Sequence, residues 1–182
     1  FLPRTKVHLQ GLSLALLLLA PLQAQIRGGA MLAQPRPGLL TWGSKLQLWP
    51  LDGGPPRTLQ EKTDYGPGGC VADVDGDGQD DLLLQQHPGP SPMVLLTAPS
   101  WQSRIVEPET DFHDCLAFTL AGRRGVLVPH FNSQLRFYLF PSFDYKEIYS
   151  IYTASQQGGM LAHDVDHDGL PDLFLGNYWV RN

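Results

Sequence analysis

The chain contains 182 residues, of which 42% are apolar, 10% aromatic and 17% charged, and it includes 19 Gly and 16 Pro. So many helix-breaking residues exclude a coiled coil or a long helical bundle, and the apolar and aromatic content excludes a disordered tail. The net charge of −5 argues against a nucleic-acid partner. A chain of this length forms one domain or part of one.

The N-terminal segment has the pattern of a secretory signal peptide. Arg4 and Lys6 precede an apolar run at residues 12–20, and the small residue Ala24 follows it. This order predicts a signal peptide over residues 1–24. A buried core helix is the alternative to a signal peptide. The apolar run is too short to cross a membrane, because a helix needs about 20 apolar residues to span a bilayer. We therefore expect a protein that is secreted, periplasmic or at the cell surface, and not membrane-spanning.

The rest of the chain, residues 25–182, repeats. The segment 68–72 (GGCVA) recurs as 158–162 (GGMLA), and an apolar run follows each copy at 82–84 (LLL) and 173–175 (LFL). Further short apolar runs come next in each unit, separated by Gly, Pro, Asn and Ser clusters. Four short strands in about 45 residues is the spacing of a β-propeller blade.

The sequence therefore predicts an all-β fold, a β-propeller of four-stranded antiparallel blades, incomplete here. We count about three and a half units, at residues 30–60 (partial), 67–110, 112–155 and 157–182 (truncated). A β-sandwich built from the same strands is the alternative. Because the chain begins at Phe1 and ends within a repeat, we expect it to be part of a longer reading frame.

The two cysteines, Cys70 and Cys115, occupy matching positions in successive units. We expect matching positions on neighbouring blades to lie beyond the ~7 Å between Cα atoms that a disulfide allows. Two buried free thiols are therefore favoured. A disulfide is the alternative, because an exported chain meets oxidising conditions.

Nine of the 18 acidic residues lie in two stretches of identical spacing, residues 73–81 (DVDGDGQDD) and 164–172 (DVDHDGLPD). Both place carboxylates at positions 1, 3, 5 and 9 and Gly at position 6. Four carboxylates this close together repel one another strongly unless a cation compensates their charge. Ca²⁺ takes six to eight oxygen ligands, and alternate side chains at positions 1, 3 and 5 can converge on one ion. The carbonyl at position 7 is a further ligand. We predict two Ca²⁺ sites.

These loops differ from an EF-hand, which needs Glu at position 12, where this chain has Leu84 and Leu175. They resemble the FG-GAP or VCBS-type repeat of integrin α-subunit propellers and of many exported bacterial proteins. The resemblance covers roughly residues 30–182 and implies one Ca²⁺ between the first and second strands of a blade. Position by position, the ligands that it implies are Asp73, Asp75, Asp77, Gln79 (carbonyl) and Asp81, then Asp164, Asp166, Asp168, Leu170 (carbonyl) and Asp172.

Two departures from the repeat pattern affect this expectation. His167 replaces the usual Gly at position 4 of the second loop, which we expect to be tolerated on the solvent side. The central unit has no carboxylate over residues 118–126 (FTLAGRRGV), so we expect that blade to be metal-free.

The predicted function is a non-catalytic binding or adhesion module with structural Ca²⁺, whose partner is a protein or carbohydrate outside the cytoplasm. The alternative is the propeller domain of an extracellular carbohydrate-active enzyme of the polysaccharide lyase or dehydratase type. No nucleophile elbow, phosphate-binding loop or zinc-protease motif occurs. The sequence does not reveal the oligomeric state.

Other polar and aromatic residues have simpler interpretations. His113, Asp114 and His130 are candidates for an acid–base pair, although such neighbours are common in surface loops. Arg123 and Arg124 fit a solvated turn better than an anion site. The larger aromatic residues fit strand packing first and sugar stacking second: Trp101, Tyr138, Tyr145, Tyr149, Tyr152 and Trp179.

Overall fold

The computed structural model describes residues 26–87, 91–112, 114–130, 134–150, 159–175 and 178–182. The predicted signal peptide lies outside these ranges, as do His113 and Tyr152. Every regular element within them is a β-strand, which confirms the predicted all-β class. No helix in this part of the chain is long and apolar enough to cross a membrane.

The described strands form four antiparallel sheets, numbered here as blades 1 to 4. Blade 1 contains β1 (Ile26–Leu32), β2 (Gly38–Gly43), β3 (Leu46–Pro50) and β4 (Arg57–Gln60). Blade 2 contains β5 (Tyr65–Ala72), β6 (Asp81–Gln86), β7 (Met93–Thr97) and β8 (Gln102–Glu107). Blade 3 contains β9 (Leu116–Leu120), β10 (Arg123–His130), β11 (Gln134–Leu139) and β12 (Tyr145–Ser150). Blade 4 contains β13 (Met160–His163), β14 (Asp172–Leu175) and β15 (Tyr178–Val180).

Each blade is a meander in which consecutive strands pair with each other. The first strands of successive blades are in contact, β1 with β5, β5 with β9 and β9 with β13. This is a four-blade β-propeller arrangement, with the first strand of each blade innermost. The first unit, expected to be partial, contains a complete four-stranded sheet.

The short apolar runs are buried on both faces because each middle blade packs between two neighbours. On β6, Leu82 and Leu84 pack with Trp42 of blade 1, whereas Leu83 packs with Val126 of blade 3. Successive side chains of a strand point to opposite faces, so a continuous apolar run fills both interfaces. The same alternation in β10 joins blade 3 to blades 2 and 4.

Glycine allows the inner strands to approach each other closely. A Cβ atom on Gly69 of β5 would lie 2.5 Å from Leu84 Cδ2 and 2.8 Å from Trp42 Cζ2. Trp42 Nε1 donates a hydrogen bond to Gly66 O at 2.9 Å, which fixes the indole across the interface. The absence of a side chain at Gly69 therefore leaves room for Trp42 at the interface between blades 1 and 2.

A disulfide joins Cys70 of β5 to Cys115, the residue before β9, with the Cα atoms 5.4 Å apart. The expectation of two free thiols is therefore wrong. It assumed that matching positions on neighbouring blades lie too far apart for a bridge. The innermost strands converge, however, and this brings the two positions within disulfide range.

Candidate metal centres

Both acidic loops connect the first and second strands of a blade. Residues 73–81 join β5 to β6, and residues 164–172 join β13 to β14. The strand register closes the two loops in the same way, because Ala72 pairs with Asp81 and His163 pairs with Asp172. The identical spacing seen in the sequence therefore corresponds to identical placement in two blades.

The two loops also share a backbone conformation at positions 4 and 6. In the first loop Gly76 and Gly78 have φ values of 85° and 82°. In the second, His167 and Gly169 have φ values of 61° and 90°. His167 is exposed and adopts the left-handed conformation in place of Gly, at a steric cost that Gly does not incur.

The side chains at positions 1, 3 and 5 converge in both loops. Asp73, Asp75 and Asp77 each offer a carboxylate oxygen, and these atoms all lie within 4.8 Å of one another. The same is true of the second set, which comprises Asp164, Asp166 and Asp168. Three oxygens at this spacing can hold a metal ion.

Backbone N–H groups of each loop hold these carboxylates in place. Gly76 N and Gly78 N donate to the two carboxylate oxygens of Asp73, at 2.7 and 3.2 Å. In the second loop Gly169 N donates to Asp164 Oδ2 at 3.0 Å. In both loops the left-handed Gly at position 6 directs its N–H group at the carboxylate of position 1, so the loop conformation and the position of that carboxylate depend on each other.

One carboxylate oxygen of the second loop is buried and unsatisfied among the described residues. Asp164 Oδ1 is buried and has no hydrogen-bond partner among the described residues. An unpaired buried carboxylate oxygen is costly, and a bound cation would remove that cost. The donor set is all oxygen, which suits a hard cation such as Ca²⁺. The residues present therefore fit the predicted metal.

The carboxylates at position 9 lie deeper and bridge the base of each loop. Asp81 accepts hydrogen bonds from Val74 N and Ala98 N, at 3.1 and 2.9 Å. Asp172 accepts equivalent bonds from Val165 N and Asn182 N, at 3.2 and 3.0 Å. Their place as Ca²⁺ ligands remains a prediction, as do the carbonyls at position 7.

The two position-9 carboxyl groups differ in acidity. Burial raises the pKa of Asp81, against the opposing effect of the hydrogen bonds from Ala98 and Val74. The hydrogen bond from Asn182 N lowers the pKa of Asp172. Asp172 is therefore the better stabilised anion of the pair when no metal is bound.

An arginine side chain contacts each acidic loop. Arg124, expected to be a solvated turn residue, crosses from blade 3, donates to Asp73 O and lies 3.6 Å from Asp73 Oδ2. In the second loop, Arg181 pairs with Asp166 and Asp168. No sequence pattern marks these contacts, because Arg124 acts between blades and Arg181 lies beyond the repeat motif.

Asp80, at position 8 of the first loop, was also missed. Its Oδ2 accepts hydrogen bonds from Ala33 N and Gln34 N of blade 1, at 2.6 and 2.8 Å. The second loop has Pro171 at this position. Asp80 therefore connects the first acidic loop to the turn between β1 and β2.

The candidate acid–base residues are used in the structure for other contacts. Asp114 accepts hydrogen bonds from Cys115 N and Met160 N, at 2.8 and 2.9 Å. His130 is buried, and its Nε2 lies 2.7 Å from Glu109 O. Burial lowers the pKa of His130. Both side chains therefore stabilise the blade structure.

No protein-family model matches the chain, and no curated protein matches it significantly.

Proposed function

We propose that the chain is a calcium-stabilised β-propeller of the FG-GAP or VCBS type that serves as a non-catalytic binding scaffold outside the cytoplasm. The observation that supports it most is the pair of matching loops, each with three converging carboxylates between the first and second strands of a blade. A solvated acidic turn would not require the same spacing, register and backbone conformation twice.

Ca²⁺ is the proposed ion because the loops offer oxygen ligands and little else. Mg²⁺ prefers a small octahedral shell that keeps several waters, and zinc favours Cys and His ligands. The proposed Ca²⁺ would neutralise carboxylates that otherwise repel one another across a strand connection. Asp81 and Asp172 already link the two sides of each loop, so the ion would stabilise a strand pair.

The disulfide supports the extracellular part of the proposal, because disulfides persist mainly in oxidising compartments. Expression of the chain with its N-terminal segment and a C-terminal tag tests export. We expect the tagged protein outside the cytoplasm with its N-terminus near Gln25. Recovery of unprocessed protein in the cytosol would contradict this part.

Chelation tests the structural role of the metal. Extracellular modules bind Ca²⁺ with Kd of roughly 10⁻⁴–10⁻³ M, so millimolar Ca²⁺ stabilises the fold by about 1 kcal/mol per site. We expect a chelator to lower the melting temperature and to increase proteolysis within residues 73–81 and 164–172. If chelation left melting and proteolysis unchanged, the proposed structural role would be wrong.

A further inference from the structure

The hydrophobic core of the described residues lies in three interfaces between consecutive blades. One cluster joins blades 1 and 2, a second joins blades 2 and 3, and a third joins blades 3 and 4. No cluster among the described residues joins blade 4 to blade 1. One face of blade 1 and one face of blade 4 therefore have no other blade packed on them within this part of the chain.

The uncovered face of blade 4 has a row of apolar side chains, one from each strand. Leu161 of β13 pairs with Phe174 of β14, which pairs with Trp179 of β15. Directly paired residues of antiparallel strands project to the same face of a sheet. Leu161 is 60% exposed, Trp179 is 52% exposed and Phe174 is partly exposed. Leu173 and Leu175, on the opposite face, are buried against blade 3.

The corresponding row on blade 2 forms an interface with the next blade. It consists of Cys70, Leu83 and Leu95, which pair with one another in the same way. The acidic loops establish the correspondence, because Leu83 and Phe174 each lie two residues after the carboxylate at position 9. All three side chains of the blade 2 row pack in the cluster shared with blade 3. The exposed row of blade 4 is therefore a face of the kind that packs against a following blade.

Blade 1 has a similar row on the face that points away from blade 2. Met31 of β1 pairs with Leu39 of β2, which pairs with Trp49 of β3. Met31 is 55% exposed, and Leu39 and Trp49 are also exposed, whereas the adjacent Leu40 is buried against blade 2. Trp49 Nε1 donates to Thr41 Oγ1 at 3.0 Å. The indole can therefore be buried by a partner without leaving its N–H group unpaired.

We propose that two copies of this chain associate head to tail, with the blade 1 row of one copy packed on the blade 4 row of the other. Within the chain, consecutive blades already pack in this order, so the two exposed rows are the two halves of one kind of interface. A second copy supplies both halves at once, through two junctions related by a two-fold axis. Four blades from each copy give eight, and propellers typically have about four to eight. This inference goes beyond the proposed binding function and involves no predicted calcium ligand.

Sedimentation equilibrium of the full chain at micromolar concentration, in excess Ca²⁺, tests the inference. We expect a dimer. Leu161→Glu on blade 4 and Met31→Glu on blade 1 should each give a monomer, because each would bury an unpaired charge in both junctions. The matched control is Ile105→Glu, since Ile105 is 59% exposed on the outer strand of blade 2 and lies in neither row. This variant should remain a dimer, and melting temperatures confirm that each variant is folded.

A mixture of the two monomeric variants tests the head-to-tail arrangement. Each variant keeps the row that the other has lost, so an equimolar mixture should form a dimer through one intact junction, although neither variant does so alone. If Leu161→Glu stayed dimeric, the blade 4 row would not be in the interface and the inference would be overturned. Assemblies of more than two copies would also overturn it. So would a folded parent that remained monomeric, which would leave the two faces to further blades of a longer chain.

Discussion

Arg181 Nε lies 2.7 Å from Asp166 Oδ2, so a protein cation lies against the carboxylates of the second acidic loop. Its Nη2 also lies 3.4 Å from Asp168 Oδ2. The side chain is 65% exposed, so water weakens the pair. The arginine and a metal ion would compete for the same negative charge.

Replacement of Arg181 by Gln should therefore tighten Ca²⁺ binding at the second loop. We expect a change of about twofold to fivefold, since an exposed pair contributes ~0.5–1 kcal/mol. Calcium titration of the variant measures it, and Lys45→Gln, which breaks the exposed pair with Glu61, is the matched control. Weaker binding in the arginine variant would show that Arg181 supports the loop instead of competing with the ion.

Removal of the disulfide should destabilise the interface between blades 2 and 3. The bridge closes a loop with a sequence separation of 45 residues. Its loss in the Cys70→Ala/Cys115→Ala double variant should lower the free energy of unfolding by about 2–4 kcal/mol. Urea denaturation measures this, and a reducing agent should have a similar effect on the unmodified chain and none on the variant. Equal stability of variant and parent would contradict the bridge.

Stability should decrease in mild acid because of His130. Burial lowers its pKa below the ordinary value of 6.5, so the unfolded chain binds a proton more readily than the folded one. The stabilisation is complete above pH 6.5 and is lost as the pH falls towards the folded pKa. Melting curves between neutral pH and pH 5 should show this loss. His130→Gln should flatten the dependence, and an unchanged profile would argue against the histidine as its source.

The sequence predicted those features that depend on local pattern. The apolar run at residues 82–84 indicated one of the short strands of a blade, and the structure places the strand β6 there. The acidic loops were recognisable because the candidate ligands of each loop lie within nine residues of one another. The structure brings the carboxylates at positions 1, 3 and 5 together in both loops.

Contacts between blades could not be predicted in this way. The pairing of Cys70 with Cys115 depends on how closely the inner strands approach. The contacts of Arg124 with Asp73 and of Asp80 with Ala33 join residues far apart in the chain, and no spacing rule relates them. The sequence predicted only a partial first unit, because β1 contains Gly28 and Gly29 and lacks a strong apolar run that would mark it as a strand.

Calorimetric titration with Ca²⁺ is the most direct test of the two-site proposal. The chain should bind two ions, and Asp77→Ala and Asp168→Ala should each remove one while leaving the other. Glu61→Gln, an acidic residue outside both loops, should retain both sites. If both loop variants still bound two ions, the ions would lie elsewhere and the assignment of the two acidic loops would be wrong.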